Sequence, residues 1–170
     1  ARHGLSFNDM NDAQRQSATS VLQTFLSEGG LEKVEQIRGL EAVLAEIEVN
    51  GRFNRDPLAY FFTVFGNPAL DGTWAFRFEG HHIALNWTFV QGMGIASSPQ
   101  FLGTNPAQVR SGPKNGLRVL DREEDLARQL VRSLDAAQQQ AAILNSDVPG
   151  DIFTTAEVEI APLDNSGIPF

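Results

Sequence analysis

At 170 residues, with 42% hydrophobic and 20% charged side chains, the chain has ordinary globular composition. A single domain of that length buries roughly 70% of its unfolded surface, so one domain spanning 1–170 is expected. With 13 basic against 21 acidic residues the net charge is −8, which repels phosphate backbones and anionic lipid and argues against nucleic acid or membrane partners.

No run approaches the ~20 apolar residues of a membrane helix, so no membrane insertion is expected. The absence of cysteine removes disulfides, thiolate zinc sites and thiol nucleophiles but leaves the compartment open. Ala1 is followed by "RHGLSFNDM" without an initiator Met or an apolar leader, the pattern of a processed or trimmed piece.

In chain order, "NDMNDAQRQSATSVLQTFLSEGG" reads as a helix. Asn11 with Gln14 makes a capping-box start, and Ala18, Val21, Leu22, Phe25 and Leu26 recur at helical spacing. Gly29 and Gly30 are expected to stop it. A second helix follows in "LEKVEQIRGLEAVLAEIEV", with Val34, Ile37, Leu40, Leu44 and Ile47 as the apolar stripe and the glutamates as the solvated face. Gly39 either weakens that helix by about 1 kcal/mol or admits a close neighbour. The two segments form an αα-hairpin.

From "NGRFNRDP" onward the period becomes strand-like. "LAYFFTVFG", "TWAFRFEG", "HHIALNWTFV" and "MGIASS" are short aromatic and β-branched runs separated by turn residues. They predict an antiparallel meander of about four to five strands. "PQFLGTNPAQVRSGPKNGLRVL" reads as irregular, with Asn105-Pro106 placed to cap a single helical turn. Asp121 with Glu124 opens a helix carrying Leu126, Leu130, Val131 and Leu134, and Asp135 restarts it as "DAAQQQAAIL". "IFTTAEVEI" offers a last strand. The fold class is α+β, with the N-terminal αα-hairpin and one or two C-terminal helices packed on an antiparallel meander.

Two of the three histidines, His81 and His82, are adjacent within "RFEGHHIALNWTFV". A two-residue loop at Glu79-Gly80 would pair Phe78 with His81, Phe76 with Ile83 and Trp74 with Leu85, gathering every large apolar side chain of this stretch on one face. His81 then ends the aromatic face, while His82 shares the opposite face with Arg77 and Asn86.

Two site chemistries follow. Glu79, His81 and His82 could hold a divalent transition metal if the backbone at the turn is irregular enough to reunite the imidazoles. Arg77, His82 and Asn86 could instead take an anionic or carbonyl-bearing small molecule, with Arg77 as charge clamp, His82 as acid/base and Asn86 as positioning donor. An Arg77 opposite His82 disfavours a cation there and lowers the imidazole pKa. Against both stands a non-catalytic binding or assembly module, in which the same cluster is a buried polar network.

Other motifs carry less. "GPKNG", Gly112 to Gly116, lacks the Gly-Lys-Ser/Thr run of a P-loop and reads as a surface turn. "DREED", Asp121 to Asp125, reads as an acidic helix start. No Gly-x-Ser-x-Gly elbow supports serine hydrolysis.

The segments "GLSFNDMNDAQRQSA", "RDPLAYFFTVFGNP", "GTWAFRFEGHHIALNWTFV" and "DIFTTAEVEIAPLDNSGIPF", with the long stretch from "FLGTNP" to "QQQAAIL", together resemble a bacterial and fungal family of unknown function, DUF3500. "EGHH" followed by "LN" carries the resemblance best. It implies importance for Glu79, His81, His82 and Asn86 without a reaction. It also implies an exported, extracytoplasmic protein and a longer relative continuing past Phe170 with further histidines. The repeat of "GLSF" (Gly4 to Phe7) as "GIPF" (Gly167 to Phe170) points the same way.

Overall fold

A computed structural model of the chain describes residues 2–48, 51–148 and 150. The chain divides into two compact units, residues 1–120 and 121–170. Among the described residues lie four helices and a six-stranded antiparallel sheet, an α+β architecture.

The first unit starts with strand β1 (Leu5–Ser6) and a 3-10 turn over Phe7–Asp9. Helix α1 (Asp12–Phe25) opens with the predicted capping box, because Asn11 accepts from the Gln14 backbone while the Gln14 side chain accepts from the Asn11 backbone. The helix ends before the glycine pair. Gly29 and Gly30 instead belong to the first turn of α2 (Glu28–Ile47), whose N-cap Ser27 accepts from Gly30 N. Here the serine decides the boundary, since its hydroxyl satisfies a donor that a new helix leaves open.

Along α2, Val34, Ile37, Leu40 and Leu44 are buried as the stripe predicts, whereas Ile47 is exposed. Gly39 serves close approach: Lys114 Nζ donates to its carbonyl at 2.8 Å, and a Cβ on Gly39 would lie 2.7 Å from that ammonium.

The sheet runs in the order β1, β2 (Phe61–Phe65), β3 (Thr73–Gly80), β4 (Ile83–Val90) and β5 (Met93–Ala96). A further strand, β6 (Gln100–Leu102), pairs with β4 at Ile83–Leu85, beyond the bulge after Thr88 where β5 leaves off. Neither β1 nor β6 stands out in the sequence, because two or three residues are too few to show a period of two.

Phe76, Phe78, Ile83, Leu85, Trp87 and Phe89 line one buried face. Helix α1 covers it through Leu22 and Phe25, whose ring lies 5.1 Å from Phe76 and 5.4 Å from Phe89. Helix α2 joins through Val34, Ile37 and Leu40, and Val109 and Val119 complete the core. Each large side chain so buried contributes about 1.5–3 kcal/mol.

The hairpin register differs from expectation. Phe78 pairs with Leu85, Phe76 with Trp87 and Trp74 with Phe89, so the turn is His81-His82 itself, not Glu79-Gly80. Gly80 is a strand residue because its missing side chain makes room for Tyr60: a Cβ there would sit 2.1 Å from the Tyr60 ring. Moving the turn by two residues keeps each residue on its face, which is why the aromatic face is as predicted while its partners are not. The next turn, Gln91-Gly92, has φ of 50° and 74°, the two positive values that a tight type I′ hairpin requires.

Asn105-Pro106 does not cap a helical turn; it is a cis peptide in a bent segment. In the second unit, α3 (Asp121–Ser133) and α4 (Ala136–Ala142) form where predicted. Asp135 caps α4 with Gln138 in a second capping box. The predicted strand at 152–160 and the closing "GIPF" lie outside the described residues.

Candidate functional site

The turn that closes β3 onto β4 reunites the histidines that a straight strand would separate. His82 has φ of 60°, in the left-handed region that β-carbon sterics disfavour. In that conformation its ring stacks on His81, with centroids 4.1 Å apart and planes 29° apart. The turn is pinned on both sides. Tyr60 Oη donates to the His81 carbonyl at 2.9 Å, and Gly103 N donates to the His82 carbonyl at 2.8 Å.

Neighbours of His81 come from outside the hairpin. Its Nδ1 lies 2.5 Å from Oε1 of Glu41, a residue of α2 that is only 4% exposed. An ionised carboxylate only accepts, so Nδ1 then carries the ring proton. Arg55 Nη1 lies 3.4 Å from Nδ1 and 3.5 Å from Nε2 of the same ring. Near-equal distances to both nitrogens place the guanidinium over the ring rather than in line with either lone pair, a stacking that arginine favours. Arg55 is held in turn by Glu48, with Nε to Oε2 and Nη2 to Oε1 both at 2.9 Å.

This geometry sets the local acidities. The hydrogen bond from Arg55 holds the Glu48 carboxyl below its usual range, and the same bond raises Arg55. Burial, reinforced by His81 and Arg55, lowers the His82 pKa, so His82 stays neutral beside its neighbour. Burial likewise raises the Tyr60 phenol, keeping it a donor.

Below the turn a cavity of about 300 Å³ is lined by His81, Glu41, Tyr60, Arg55, Phe53 and Arg2, among others. The sequence places none of Glu41, Arg55 or Tyr60 at a site. Glu41 carries a legible signal, since it follows Val34 and Ile37 by seven and four residues and so falls on the buried stripe, not the solvated face assigned to the α2 glutamates. Arg55, in a loop without periodicity, carries none.

The residues expected at a site are divided. Arg77 lies opposite Asn86, not His82, and its Nη2 pairs with Glu79 Oε1 at 2.8 Å. Its Nε is buried without a hydrogen-bond partner. Asn86 Nδ2 donates to the Pro99 carbonyl at 2.7 Å. Arg77, Glu79 and Asn86 thus occupy the other face of the sheet, while His81 and His82 stand at its end. Among the described residues no group of three or more His, Cys, Asp or Glu side chains is arranged to hold a metal ion.

The sequence pattern of DUF3500, a family of proteins of unknown function, matches residues 1–170. The chain belongs to the DUF3500 family. No curated protein and no solved structure matches it. The DUF3500 assignment spans the whole chain, so both the helix that supplies Glu41 and the hairpin that supplies His81 lie within the family region. No described helix of this DUF3500 chain is long and apolar enough to cross a membrane.

Proposed function

We propose that the cavity under the β3–β4 turn is an acid/base site for a small molecule, with His81 as the proton-transfer group and Glu41 as the residue that orients it. The observation that carries this reading is the 2.5 Å contact between a buried carboxylate and an imidazole that is still 26% exposed at its side chain. A carboxylate on Nδ1 fixes the tautomer and leaves Nε2 as the nitrogen free to exchange a proton with a ligand. His82, neutral and stacked on His81, acts as a positioning residue. Arg55 supplies positive charge beside the ring.

Carbethoxylation by diethyl pyrocarbonate, followed residue by residue by mass spectrometry, tests this. The reagent attacks the ring nitrogen that carries no proton, which the Glu41 contact leaves as Nε2, so the rate at His81 is expected to fall several-fold in Glu41→Gln while the rate at His3 stays the same. An inert His81 in the wild-type protein, or a rate indifferent to Glu41→Gln, would make the pair a structural tie between α2 and the hairpin and would sink the acid/base reading.

A further inference from the structure

The same cavity also indicates what it would bind. Its carboxylates are engaged: Glu41 by His81 at 2.5 Å, and Asp56 by Asn8 Nδ2 at 2.6 Å and by Leu58 N at 2.8 Å. Its cations are engaged only in part. Arg55 commits Nε and Nη2 to Glu48, which leaves Nη1 facing only the imidazole. Arg2 also lines the cavity and, among the described residues, has no ion pair. An unpaired guanidinium at Arg2 and a third donor of Arg55 that meets no carboxylate, around a partly enclosed space, suit an anion.

The wall beside these cations is aromatic. Phe53 is 62% exposed, and two guanidinium groups lie near its ring, with Arg55 Cζ 5.1 Å and Arg52 Cζ 5.8 Å from its centroid. An exposed ring kept in place in this way is a platform on which a flat apolar group can stack. Ala59 adds a small apolar surface, and about 300 Å³ is room for a ligand of one ring and one acidic group.

We infer that this cavity binds a small monocarboxylate bearing a flat apolar ring, with its carboxylate on Arg55 Nη1 and Arg2 and its ring against Phe53. This inference rests on reading the His81 cavity as a ligand site, and it adds the ligand class. The carboxylate would sit beside His81 Nε2, where a proton can pass to or from the ligand.

Benzoate is the probe, with benzamide as its neutral analogue and benzylamine as its cationic one, each titrated into the full chain while amide, Arg55 Nε–H and His81 ring resonances are followed by NMR. Benzoate is expected to give saturable shifts at Arg55 and His81 in the millimolar range, and the two analogues none. Arg2→Gln and Phe53→Ala, both changes at exposed side chains, are each expected to weaken benzoate about tenfold. Equal shifts from all three probes, no saturation with benzoate, or unchanged affinity in both variants would overturn the inference. If benzoate fails while carbethoxylation of His81 still depends on Glu41, the ligand class is wrong and the acid/base reading stands. If benzoate binds while carbethoxylation ignores Glu41, the anion site stands and the acid/base reading falls.

Discussion

Glu41 Oε1 and His81 Nδ1, 40 residues apart in sequence, meet at 2.5 Å and so join the middle of α2 to the turn between β3 and β4. The contact removes a carboxylate from water and gives it a single strong partner. Breaking such a pair from one side leaves the other group buried and unsatisfied, at a cost of about 3 kcal/mol. His81→Ala, which leaves the Glu41 carboxylate buried without its partner, is therefore expected to lower the unfolding free energy by about that amount in urea melts. Glu48→Ala, at the C-terminal cap of α2, is expected to cost less, because its side chain is 29% exposed and water partly screens its bond to Arg55.

Tyr60 and Gly80 form a second close relationship. With a Cβ at residue 80 lying 2.1 Å from the Tyr60 ring, Gly80→Ala must push that ring out of the core or bend β3. Overpacking of this kind costs about 1–3 kcal/mol. Shrinking the ring in Gly80→Ala/Tyr60→Leu is expected to recover part of the loss relative to the sum of the single changes, a coupling that a double-mutant cycle reads directly.

His82 links stability to pH. Its folded pKa lies below the ordinary 6.5, so the unfolded chain binds this proton first. The His82 contribution to stability is complete above pH 6.5 and declines as pH falls below it towards the depressed folded value. Replacing the residue by Asn, which tolerates a positive φ, should remove that part of the acid-side loss. Urea melts of the wild-type protein and His82→Asn across this range check it. Parallel pH curves for the two proteins would refute the assignment.

Arg38 is the other charged group on the buried side of α2. Its Nε and Nη2 both donate to the Pro57 carbonyl, at 3.1 and 3.0 Å, and its guanidinium lies 4.4 Å from the Phe7 ring centroid. Arg38→Lys keeps the charge but has no planar fork to bond twice and stack at once. A loss of about 1–3 kcal/mol is expected by the same melts.

Much of this arrangement is legible in the sequence where local chemistry and periodicity agree. Asn11 with Gln14 and Asp135 with Gln138 cap their helices as their side chains dictate, and the aromatic face of β3 and β4 follows from a period of two. The register of that hairpin is less legible, since two turn positions put the same residues on the same face. What separates them is a tertiary contact, the Tyr60 ring over Gly80, which no local pattern encodes. The site is hidden for a related reason. His81 is conspicuous, but its partners Glu41 and Arg55 come from a helix and a loop 40 and 26 residues away. Only the place of Glu41 on the α2 stripe hints that a carboxylate is buried there.

The most direct test of the account is the protonation pattern of the His81 ring, read from its nitrogen-15 and ring-proton resonances near neutral pH in the wild-type protein and in Glu41→Gln. In the wild-type protein the ring is expected to carry its proton at Nδ1, shifted far downfield by the Glu41 carboxylate, and the downfield signal is expected to vanish in the variant. A ring protonated mainly at Nε2 in the wild-type protein, with the same spectrum in Glu41→Gln, would contradict it.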